Sequence, residues 1–122
     1  YIMKIAVPSF GDNLKASVNP SLGRAKRFII IDSETREFEV MENPAVNVTG
    51  GAGIKAAQAI ADSGAEALIT FQCGQNAEGV LRAAGIKIYE AVTGSIAEVI
   101  DRFTEGQLKE LKDIHPGFHG GR

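Results

Sequence analysis

Ala67-Leu68-Ile69-Thr70-Phe71-Gln72-Cys73-Gly74-Gln75-Asn76-Ala77 runs from a short unbroken apolar segment through a glycine-marked turn into helical spacing. An apolar run of this length, stopped by a turn, suits a strand buried on both faces. Beyond it Ala77, Val80, Leu81 and Ala84 recur at i, i+3, i+4 and i+7, with Asn76 expected as the N-cap and Gly85 as the terminator. The same grammar appears on either side. Upstream, Gly50-Gly51-Ala52-Gly53 opens a helix expected from Ala52 to Ser63, with Ile54, Ala57, Ile60 and Ala61 toward a sheet and Gly64 in a left-handed C-terminal position. Downstream, Ile86-Lys87-Ile88-Tyr89 alternates like an edge strand and Thr93-Gly94-Ser95 opens another helix. There Ser95 and Glu98 form a capping-box pattern ahead of Ile96, Val99, Ile100 and Phe103. Helix, strand, helix, strand, helix argues for parallel strands with crossover helices.

The first part of the chain reads differently. Ile5-Ala6-Val7 predicts a central strand that Pro8 stops, and Phe28-Ile29-Ile30-Ile31 predicts a second. After the polar turn Asp32-Ser33-Glu34-Thr35-Arg36, the alternation of Glu37 to Met41 predicts the partner of a hairpin at the sheet margin, with Glu37, Glu39 and Glu42 guarding its edge. The whole is an α/β chain in one compact domain over 1–106, followed by a C-terminal extension over 107–122. That extension reads as a short helical piece from Gln107 to Lys112 and a Pro/Gly-rich, flexible end. At 122 residues and 44% hydrophobic content the chain can bury a core without disulfides. A formal charge of -2, with no Lys/Arg cluster, argues against nucleic acid. With one cysteine, no leader-like segment ahead of Met3 and no long apolar run, the expected location is the cytoplasm, away from membranes.

Helix starts leave amide hydrogens without intrahelical partners and carry partial positive charge, so the three glycine-marked turns together predict one crevice suited to an anion. The order of glycines is neither the dinucleotide fingerprint nor a P-loop, which needs a following lysine. The candidate binding residues are Gly51, Ala52, Gly53, Cys73, Gly74, Gln75 and Asn76, with Arg24 for charge compensation. Arg24 reads equally well as an ordinary surface arginine. Cys73 stands where a helix N-terminus could lower its pKa and make a soft metal ligand, against the plainer reading of a small apolar side chain. His115 and His119 have i, i+4 spacing, but Pro116 and Gly117 oppose a helix there; they read as solvated tail residues or as metal ligands from a closing tail. The first strand carries no carboxylate to join Asp12, Asp32 and Glu42 into a nuclease-like cluster, and Ser9 or Ser21 lacks a nucleophile elbow. Binding without catalysis is the expectation.

Met3-Lys4-Ile5-Ala6-Val7-Pro8, Gly23-Arg24-Ala25, Glu42-Asn43-Pro44-Ala45, Gly50-Gly51-Ala52-Gly53-Ile54, Gly74-Gln75-Asn76-Ala77, Gly85-Ile86-Lys87-Ile88-Tyr89 and Thr93-Gly94-Ser95 follow one another in an order that resembles the dinitrogenase iron-molybdenum cofactor biosynthesis family. This is the small domain of the NifX- and NafY-like carriers and of the C-terminal part of NifB-like proteins. The resemblance implies a ribonuclease H-like fold of five strands and three helices without nuclease activity. It also implies a carrier for iron-sulfur or iron-molybdenum cluster precursors, exchanged with donor and acceptor proteins. One position departs: where the family often has histidine two residues before Gly23, this chain has Ser21. A cluster here would then depend on Cys73, a tail histidine or backbone amides. The alternative is a regulatory module that binds a small anion without metal.

Overall fold

The computed structural model describes residues 3–47 and 50–111. Five strands, β1 (Lys4–Ser9), β2 (Arg27–Asp32), β3 (Phe38–Glu42), β4 (Ala67–Thr70) and β5 (Lys87–Glu90), form one sheet in the order β3-β2-β1-β4-β5. Three helices, α1 (Ala52–Asp62), α2 (Gln75–Ala83) and α3 (Ile96–Thr104), accompany it among the described residues. β1 runs antiparallel to β2 and parallel to β4, so the sheet is mixed, with the hairpin β2–β3 on one margin. This arrangement is compatible with the ribonuclease H-like motif.

Both sheet faces are covered, as the unbroken apolar runs require. On one face Ala56, Ala57 and Ile60 of α1 and Ala77 and Leu81 of α2 pack on Ala6, Phe28, Ile30, Leu68 and Ile88. On the other, Ile96, Val99 and Ile100 of α3 pack on Ile5, Val7, Ile29, Ile31 and Ile69. Gly64 and Gly85 follow α1 and α2 with φ of 87° and 79°, in the left-handed conformation that suits glycine after a helix. Ile54 is only half-buried.

Three local expectations change. Pro8 lies inside β1 and does not end it. Lys4 O accepts from Glu66 N–H, on the β4 side, and by strand alternation Pro8 faces that side too. Pairing with β4 runs only through Ile5 and Ala6, so the missing N–H leaves no gap in the β2 ladder, while Pro8 O accepts from Asn19 N–H at 2.9 Å. Asn76 is not an N-cap: α2 begins at Gln75 with Gly74 in that place. Of the helical piece expected from Gln107 to Lys112, residues 107–111 are not helical and Lys112 lies outside the described residues. Glu90 N–H donates to Lys109 O at 2.8 Å and Leu111 N–H to Ile88 O at 2.9 Å, which lays this segment along β5 and buries Leu111. Among the described residues no helix is long and apolar enough to cross a membrane.

Candidate functional site

The first turns of α1 and α2 and the loop before β2 enclose a crevice of about 560 Å³, lined by residues 20–24, 51–54 and 72–77. All eight candidate binding residues line it, Arg24 from the loop and the others from the two helix starts and the end of β4. Gly50 and Gly51 reach α1 with φ of 81° and 69°, and Gly51 is the N-cap with no side chain bonding the first turn. α2 starts in the same unclothed way from Gly74, whose backbone is extended, again without a side-chain cap. The close approach of loop and helix depends on Gly23: a Cβ there would lie 3.2 Å from Gly53 N and 3.3 Å from the Ala52 carbonyl carbon. Any side chain at 23 would therefore press on the backbone that carries α1's free amides.

The third glycine turn does not join this crevice. α3 lies on the opposite sheet face, and its start is occupied by its own chain: Ser95 Oγ accepts from Glu98 N–H at 3.1 Å and the Glu98 carboxylate accepts from Ser95 N–H at 2.8 Å. Ile96 N–H and Ala97 N–H donate to Ala16 O and Leu14 O at 2.8 and 3.0 Å. The expectation of three converging starts is corrected to two, because the crossover after β5 places its helix on the far side.

Cys73 is buried at the crevice wall, with its thiol in weak contact with Gly74 O at 3.6 Å. The expected lowering of its pKa is reversed. Burial, with a smaller contribution from the Glu78 carboxylate, pushes the thiol up from 9.0 to about 11, and Arg82, which pairs with Glu78, only partly offsets this. The protonated thiol is the form present at neutral pH. Arg24 is exposed; its N–H donates to Ser21 Oγ at 3.0 Å, and Ser21 N–H donates to Asn19 Oδ1 at 2.9 Å, so paired side-chain turns shape the loop.

Of the carboxylates considered as a nuclease cluster, Asp32 has other work. Asp32 Oδ1 accepts from Thr35 and Glu34 N–H in the β2–β3 turn, bonds that lower its pKa. Among the described residues no group of three or more His, Cys, Asp or Glu is placed to hold a metal ion. His115 and His119 lie outside the described residues. Two residues of the site region escaped the sequence reading. Gln72 lines the crevice, and Asn43 is buried behind it, donating to Gly23 O at 3.2 Å and Ala25 O at 2.7 Å while accepting from Ala45 N–H at 2.9 Å. The only sequence signal for Asn43 was its place before Pro44 in a segment shared with the resembled family.

Comparison with known proteins follows the same lines. The family model described as dinitrogenase iron-molybdenum cofactor matches residues 3–106. An uncharacterized protein of Methanocaldococcus jannaschii is 39% identical over 114 residues, spanning 91% of this chain and 93% of its own length. Among solved structures, the apo form of the orange protein from Desulfovibrio gigas is 36% identical with a TM-score of 0.86, covering 91% of this chain and 94% of that one. A Thermotoga protein described as a candidate NifB protein is 38% identical with a TM-score of 0.79, covering 98% of this chain and 99% of that one.

Proposed function

The chain belongs to the dinitrogenase iron-molybdenum cofactor family, and from that premise we propose that it is a non-catalytic, cytoplasmic carrier of an anionic iron-sulfur or iron-molybdenum cluster precursor. The observation that carries the reading is the pair of helix starts without side-chain caps, facing one crevice beside Arg24. Each start presents roughly half a positive charge and several N–H donors, and the guanidinium adds a full charge, so an anion entering the crevice meets about two positive charges. Cluster sulfurs accept hydrogen bonds from such amides, and an intact cluster held this way can be passed from a donor protein to an acceptor without breaking many metal bonds. The likeness to an apo form and to a candidate NifB protein supports the same reading. Cys73 contributes as a ligand only after losing its proton.

That neutral thiol favours one second reading, a regulatory module that takes a small anion through the same amides without metal. One experiment separates the two. Metal-free protein is incubated anaerobically with an iron-molybdenum-sulfur cluster, passed through gel filtration, and assayed for iron, molybdenum and visible absorption beside Cys73→Ser. Stoichiometric retention by wild type supports the carrier, and its loss in Cys73→Ser makes the thiolate a ligand. No retention by wild type overturns the carrier for that cluster, and binding of inorganic phosphate in its place would establish the small-anion module.

A further inference from the structure

Resting on the reading of the crevice as an anion site, we infer that Asn43 is its positioning residue, a buried latch that turns the loop of Arg24 so that positive groups face the ligand and carbonyl oxygens do not. Asn43 itself does not line the crevice, whereas Gly23 and Arg24 do. Its side-chain N–H groups bind the carbonyl oxygens of Gly23 and Ala25, the two residues flanking Arg24, at 3.2 and 2.7 Å. Its carbonyl takes Ala45 N–H at 2.9 Å, and its own backbone N–H donates to Lys26 O at 3.0 Å. Both side-chain N–H groups and the amide oxygen are thus engaged, and among the described residues no buried side-chain nitrogen or oxygen is left without a partner.

An anion site needs donors turned inward and acceptors turned away, because a carbonyl oxygen aimed at an anion repels it. Two carbonyls on either side of the single candidate arginine are held on the buried side by one residue. The same residue directly follows β3, so it ties to the end of that strand the loop whose Gly23 closely approaches the first turn of α1. Aspartate in this place would accept from Ala45 N–H but would set its oxygens against both carbonyls.

The test measures retention of the iron-molybdenum-sulfur cluster by wild type, Asn43→Ser, Arg24→Gln and the double variant, together with hydrogen exchange at the amides of residues 23–25 and 96–99. Serine keeps an acceptor for Ala45 N–H but cannot reach Gly23 and Ala25. Each single variant is expected to lose about tenfold in affinity, and the double variant clearly less than the roughly 100-fold that independent losses would give, since Asn43 acts in part through Arg24. Exchange at 23–25 is expected to quicken by about tenfold while 96–99 stay unchanged. Additive losses, or affinity in Asn43→Ser equal to wild type, would overturn the inference. Where Asn43→Ser does not fold, Asn43→Thr, which is close in volume, keeps a hydroxyl acceptor and sets no charge against the carbonyls, takes its place with the same expectations. If wild type retains no cluster the carrier reading falls by itself, and the exchange measurement decides the latch: unchanged exchange at 23–25 overturns it and faster exchange sustains it.

Discussion

The starts of α1 and α3 are built from the same local material, a glycine turn leading into an amphipathic helix, and they end in opposite states. At α3 the chain serves as its own ligand: Ser95, Glu98 and the carbonyls of Leu14 and Ala16 take up the first amides. At α1, and at α2 beside it, the glycine caps supply no side chain and the amides open onto a crevice. A helix start becomes a candidate site through what the surrounding chain withholds from it.

The sharpest way to break this contrast is Gly23→Val. A Cβ at 3.2 Å from Gly53 N forces the loop off α1, so cluster retention should fall by about 100-fold, with a stability cost of about 1–3 kcal/mol. Gel filtration after anaerobic loading and a urea titration measure the two effects. Undiminished retention would mean that the loop and α1 do not act together. A smaller effect of the opposite kind is expected from Ser95→Ala, which removes a cap that the chain itself uses. Stability should drop by about 1 kcal/mol while retention stays at the wild-type level, and reduced retention would remove the distinction between the two kinds of helix start.

The smallest effect concerns pH. The folded thiol of Cys73 is raised to about 11 from 9.0, so the folded state holds its proton where the unfolded state has released it. This contribution is complete below pH 9 and is lost as pH rises from 9 through about 11. Thermal melts of wild type should fall more steeply over that window than those of Cys73→Ala. If the thiolate binds the cluster, retention should also strengthen with rising pH, whereas retention through amides and Arg24 should stay flat.

Much of this architecture was legible because it is local. The apolar runs, the hairpin turn from Asp32 to Arg36, the 3.6-residue spacing of α2 and α3 and the Ser95–Glu98 box are each contained within a dozen residues. What escaped depends on where distant segments lie. Pro8 sits comfortably in β1 only because pairing with β4 has ended beside it, which is a matter of register. Gly74 precedes α2 in place of Asn76 although asparagine is the better cap; a Cβ at Gly53 would lie 3.6 Å from Ala77 Cβ, which shows how closely α1 and α2 approach there. The fate of the turn at Thr93 to Ser95 was decided by which sheet face α3 covers, and the thiol of Cys73 by burial, against the effect of the helix start next to it. Asn43 stands before proline with nothing local to mark it, because the two carbonyls it holds lie 18 and 20 residues upstream.

The segment 107–111 laid along β5 bears on how copies of this protein can associate. Filaments that grow by strand addition need two open margins, one to receive the next molecule and one to be received. Here residues 107–111 cover the β5 margin, whereas among the described residues no strand lies beyond β3. Strand addition at β5 would have to displace or extend this segment, so the two margins of the sheet are unequal partners for a second copy.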